Sequence, residues 1–114
     1  GVGTARRGLA AAGYGTDKAI FGYGYTTVML SMTNLVSNTG VVSTDTTGVG
    51  TARDMLAAAG YGVDKAIFGY GSTSGAEAPV SITNLVSNTG VVSGDVTGVG
   101  TGKKGVAAAS YGLA

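Results

Sequence analysis

The octapeptide DKAIFGYG occurs twice without change, at Asp17 to Gly24 and at Asp64 to Gly71. Each copy follows an LAAAGYG segment and precedes, after a patch that varies, the run TNLVSNTGVVS. GVGT opens at Gly1, again at Gly48 and a third time at Gly98, so successive spacings are 47 and 50 residues. Repetition at such a period restricts the fold more than any single motif does. Each unit is one supersecondary module that buries its faces only against its neighbours. The chain divides into a first unit at 1–47, a second at 48–97 and the opening of a third at 98–114. Because Gly1 lies inside a repeat motif, the chain is expected to be a fragment or processed part of a longer array.

Four short strands are expected per unit. The first covers Gly8 to Tyr14 and recurs at Met55 to Tyr61 and Gly105 to Tyr111. The second is Lys18 to Tyr23 and Lys65 to Tyr70, the third Ser31 to Ser37 and Ser81 to Ser87, and the fourth Gly40 to Asp45 and Gly90 to Asp95. Gly13 to Asp17 supplies the Gly and Asp of a tight hairpin, and Ser37 to Gly40 a second short turn. Alanine favours helix, but LAAAGYG is short, flanked by Gly and one turn from a strand-like segment. In Lys18 to Tyr23, alternation puts Ala19, Phe21 and Tyr23 on one face and Ile20 and Gly22 on the other. Both faces are apolar or tiny, as in a sheet covered on both sides. Four strands per repeat is the arithmetic of a propeller blade, although the spacing leaves a β-solenoid open. The expected class is all-β: two four-stranded β-propeller blades plus the first strand of a third. Two blades close no ring, so the expected partners are further blades of the same parent chain or further copies of it.

Composition narrows the chemistry. Hydrophobic residues make up 44% and charged residues 11%, too apolar for a disordered chain. The 22 glycines follow no three-residue period, which removes collagen. A net charge of +1 gives no footprint for nucleic acid. No run of 18 apolar residues is present, so no transmembrane helix is expected. The chain has neither His nor Cys, and its Ser and Thr residues lack a partner base. No catalytic residue, cofactor or metal is expected. GVGT and GYG lack the Lys-Ser/Thr of a phosphate loop, and Asp45 and Asp95 supply too few carboxylates for a calcium loop.

Specific contacts are therefore expected where the units differ, at YTTVML (Tyr25 to Leu30) and STSGAEAPV (Ser72 to Val80), three residues longer in the second unit. A length change confined to one patch is typical of a surface loop. Tyr25, Thr26, Thr27, Ser72, Thr73, Ser74 and Glu77 are the candidate recognition residues, with Tyr25 the exposed aromatic. The recurring Tyr14/Tyr61/Tyr111 and Tyr23/Tyr70 are expected in packing. Arg6 and Arg53 are expected to hydrogen-bond carbonyls in the passage between blades, with an anionic ligand as the functional alternative. Asp45 and Asp95 are candidates to pair with those arginines across neighbouring blades.

The order of Arg6 or Arg53, a small apolar strand, a hairpin and AIFGYG resembles the kelch repeat, in which the second strand closes on a glycine doublet. Here Tyr23 and Tyr70 split that doublet, and Val41-Val42 and Val91-Val92 lie where kelch units usually carry a Trp. The longer wording, TNLVSNTGVVSTDTTGVGTAR with LAAAGYGTDKAIFGYG, resembles tandem repeats in virion structural proteins of tailed phages of marine and cyanobacterial hosts. That resemblance implies a tail, neck or fibre component located in the virion, contacting other virion proteins. A propeller that binds a receptor or host surface glycan through its variable loops is the alternative it implies.

Overall fold

Two short apolar segments joined by a tight turn pair through their backbones, and in both full units the AAAGY and KAIFG segments do so as an antiparallel hairpin. The computed structural model describes residues 1–74 and 78–112. The described residues form strands β1 (Ala10–Tyr14), β2 (Lys18–Tyr25), β3 (Met29–Val36), β4 (Ala57–Tyr61), β5 (Lys65–Gly69) and β6 (Thr83–Val86), and no helix. They make two three-stranded antiparallel sheets, β1-β2-β3 and β4-β5-β6. Registers repeat: Ala11 faces Phe21 and Ala58 faces Phe68, while Tyr14 faces Lys18 and Tyr61 faces Lys65. The hairpin turns place two consecutive residues at positive φ, Gly15 at 61° and Thr16 at 69°, then Gly62 at 61° and Val63 at 77°. Such turns match the right-handed twist of the flanking strands.

The expected fourth strands are not regular strands. Val42 and Thr46 form isolated bridges to Val36 and Thr33, and Val92 and Val96 to Val86 and Thr83. The two bridges in each unit are one residue out of step, so the ladder breaks between them. The expected first strand of a third unit, Gly105 to Tyr111, also forms no strand over its described length. A strand needs a ladder partner, and this sequence contains no third KAIFG segment for it.

A second departure concerns β2. Its pairing to β3 shifts register between Gly22 and Gly24, and Tyr23 sits in the bulge at φ 63°. A one-residue bulge turns the following side chain to the opposite face. Tyr23 therefore leaves the face of Phe21 and joins that of Ile20 and Gly22. Tyr23 is fully buried, whereas Phe21 is 39% exposed.

The two sheets pack face to face, β1 against β4 and β5. Phe68 is the centrepiece: it is fully buried, and its ring meets the Tyr23 ring edge-on at 5.1 Å between centroids. It lies over Gly22, where a Cβ would fall 2.6 Å from Phe68 Cζ. Tyr14, Ile20, Leu56, Ala66, Val86 and Val92 complete the core. The same junction then begins again. Met55 N–H donates to Gly8 C=O at 2.8 Å, and Gly105 N–H to Met55 C=O at 2.8 Å. Gly24 N–H donates to Arg53 C=O at 3.0 Å, and Gly71 N–H to Lys103 C=O at 2.8 Å. Arg53 N–H donates to Leu30 C=O at 3.3 Å, and Lys103 N–H to Val80 C=O at 3.2 Å. The opening of each unit is thus seated on the preceding unit in one fixed way.

Candidate functional site

Arg53 stands at that junction. Its side chain is completely buried, and burial depresses its pKa. A buried guanidinium is tolerable only when its donors are satisfied. Nε donates to Tyr70 C=O at 2.7 Å, Nη1 to Thr51 C=O at 2.9 Å and Nη2 to Asn84 Oδ1 at 2.6 Å. The Tyr23 ring of the preceding unit covers the guanidinium at 4.6 Å, a cation–π contact across the junction.

The first unit has the same set at a half-buried site. Arg6 reaches Tyr23 C=O at 2.6 Å, Thr4 C=O at 2.9 Å and Asn34 Oδ1 at 2.8 Å. In the third opening, Lys103 occupies this position, with Nζ 5.0 Å from the centre of the Tyr70 ring. The arginines do not pair directly with Asp45 and Asp95, as the sequence had suggested, and the link does not cross between units. An asparagine stands between. Asn34 Nδ2 donates to Asp45 Oδ1 at 2.8 Å, and Asn84 Nδ2 to Asp95 Oδ1 at 3.0 Å. Each carboxylate then closes the unit's own opening. Thr4 donates its N–H at 3.1 Å and its hydroxyl at 2.6 Å to Asp45, and Thr51 donates at 3.0 Å and 2.5 Å to Asp95.

Those bonds depress both carboxylates below the ordinary range, the threonine hydroxyl contributing most. Asp17 and Asp64 are depressed chiefly by Lys18 and Lys65, their neighbours in exposed pairs at 3.0 and 3.1 Å. Exposed pairs of this kind add little stability.

Sequence reasoning missed Asn34, Asn84, Thr4 and Thr51. The available signal was an Asn in the middle of an apolar strand, where Asn is depleted.

The variable patches differ from the exposed loops expected of them. Tyr25 is the last residue of β2, so much of YTTVML is strand. Its backbone bridges Arg7, and the Arg7 guanidinium covers its ring at 4.9 Å. Thr26 is half-buried and Thr27 exposed. Ser72 is fully buried, its backbone bridged to both Asp54 and Pro79, and so is unavailable to a ligand. Thr73 is half-buried, donating to Ala78 C=O through its N–H at 3.1 Å, and Ser74 is exposed. Glu77 lies outside the described residues.

The recurring tyrosines are core only where a later unit covers them. Tyr14 is 5% exposed, with its ring against Gly90, whereas Tyr111 is fully exposed. No protein-family model and no curated protein matches this chain.

Proposed function

We propose that the chain is a non-enzymatic structural element, a stack of kelch-like β-propeller blades serving as a building block of a phage tail, neck or fibre. The observation that carries this reading is the repeated junction. Three backbone hydrogen bonds seat the opening of the second unit on the first, and their counterparts seat the third opening on the second at nearly the same lengths. The largest fully buried side chain, Arg53, serves that junction, with Nε, Nη1 and Nη2 each donating to the protein itself. The irregular fourth segment supports a blade, since it runs antiparallel beside β3 and β6 as an outer fourth strand does. The repeat wording supports the virion. Proteomic analysis of purified particles of the virus encoding the chain tests it: peptides spanning DKAIFGYG are expected in the particle at structural copy number. Their absence from particles, with the protein present in infected cells, overturns the reading.

A further inference from the structure

Near-identical repeats carry a hazard, because units that fit one another equally well can assemble in the wrong order. At the junction the units are not identical. Directly after Arg6, Arg53 and Lys103 come Arg7-Gly8, Asp54-Met55 and Lys104-Gly105. These three pairs lie in one column. Met55 N–H donates to Gly8 C=O and Gly105 N–H to Met55 C=O, both at 2.8 Å, so each pair stands one backbone hydrogen bond from the next. Along the column the charge changes sign at every step.

Asp54, the middle member, is buried, and its Oδ1 has no hydrogen-bond partner among the described residues. A buried carboxylate oxygen without a donor draws its stabilisation from charge further off. The adjoining units place a base on either side, Arg7 exposed and Lys104 half-buried. The Arg7 guanidinium lies over the Tyr25 ring at 4.9 Å, so its charge acts on Asp54 through space and not through a bond. Room alternates along the same column. Asp54 packs on Gly8 of the preceding unit, where a Cβ would fall 3.1 Å from Asp54 Cβ and 3.3 Å from Oδ2. The second unit has Met55 in the place of Gly8, so a further Asp unit seated on it would be crowded. The opening that does follow it brings Lys104.

We infer that this column is a matching site that sets the order of units: the Asp-Met unit accepts as neighbours units of the same repeat that carry a base followed by Gly. Two Asp-Met units in succession set carboxylate beside carboxylate and Met against the Asp side chain. Two base-Gly units in succession set base beside base. Selection of this kind comes from the penalty on the wrong neighbour as well as from the attraction of the right one. The inference deepens the stacking reading above and rests on it, and it is independent of location in the virion.

Giving the first unit the charge of the second tests the match in the whole chain. Arg7→Asp should lower the urea midpoint below that of Arg7→Gln by about 0.3 M or more. Both variants lose the contact with the Tyr25 ring, and only the first adds a negative charge beside Asp54. The gap should close in an Asp54→Asn background, where the shape is kept, and should shrink at high salt. Lys104→Glu set against Lys104→Gln reads the other side of the column in the same way. Equal midpoints for Arg7→Asp and Arg7→Gln, or a gap that Asp54→Asn leaves unchanged, overturn the charge match. A second cycle reads the room. Gly8→Ala strains the positive φ of that residue in any background, but it should cost less once Asp54→Gly has removed the Cβ that it meets. An equal loss in both backgrounds overturns the steric match. The midpoints read the junction and the particle proteomics reads location, so either can fail while the other holds.

Discussion

Replacing Gly22 with alanine tests the junction where it is tightest. The new Cβ would lie 2.6 Å from Phe68 Cζ, 3.0 Å from Cε1 and 3.1 Å from Thr33 Cγ2. The ring has nowhere to go: it is fully buried and held edge-on by Tyr23. Overpacking a closed site costs about 1–3 kcal/mol. Against this, Gly22 lies in a strand without a positive φ. Alanine there restricts the unfolded chain and returns roughly 0.4–1 kcal/mol. The net expectation is a loss of about 1–2 kcal/mol, read as a lower urea midpoint at unchanged slope. Phe68→Leu combined with Gly22→Ala should recover part of the loss, giving a coupling that a double-mutant cycle isolates. Gly69→Ala is the internal control, expected within about 0.5 kcal/mol of the unchanged chain, since among the described residues its Cβ would meet only Thr83 Cγ2, at 3.2 Å. A Gly22→Ala protein as stable as the Gly69→Ala protein, or one showing no coupling to Phe68, would refute the face-to-face packing.

Two further outcomes follow from the arginine clusters. Arg53→Met should cost about 3 kcal/mol or more, because it strands Asn84 and two carbonyls in a buried site. Arg6→Met, at a half-buried site where water can replace the lost donors, should cost roughly a third of that; equal midpoints for the two variants would contradict the burial of Arg53. The carboxylates set the pH dependence. Their folded pKa values are depressed, so the stability they add is fully present above the ordinary aspartate value near ~4 and is lost as pH falls through the lower folded values. Melting temperature should hold from neutral pH to about 4 and drop below it, and Asp95→Asn should shrink the drop; an identical acid profile in that variant counts against the Thr51–Asp95 clasp.

The repeat, the strand order of the first three strands and the absence of helix among the described residues were legible because the signals are local. Gly-flanked alanine runs, an apolar strand and two turn sequences recur in step, and each fixes its own few residues. The face carrying Tyr23 was not legible. Strict alternation assigns it to Phe21's side, and only the bulge between Gly22 and Gly24 moves it across. The relay Arg–Asn–Asp–Thr was half legible: its charged ends recur in the sequence, but a direct pair was the simpler expectation and the bridging Asn34 and Asn84 lie many residues from either end. The variable patch misled for a related reason. In the first unit it is short enough for β2 and β3 to run on to Tyr25 and Met29. In the second unit, three more residues and Pro79, which has no N–H to donate, end β5 at Gly69.

That insertion bears on how an array of such units works. Its ends are clamped, Ser72 bridging Pro79 and Thr73 N–H donating to Ala78 C=O. The junction bonds after the longer unit are 2.8, 2.8 and 3.2 Å, against 2.8, 3.0 and 3.3 Å after the shorter one. The extra length therefore leaves the seating of the next unit unchanged. Stacking depends on Phe68 pointing back and Gly22 and Gly69 pointing forward, a direction that every unit shares. The internal junction is therefore polar, the ring of the later unit set against the glycine of the earlier one. DKAIFGYG supplies both halves of this contact, the ring on one face and the space for a ring on the other. Substitution within it must satisfy two neighbours at once. A change in the clamped patch disturbs neither, which leaves that patch as the place where units can vary without altering the stack.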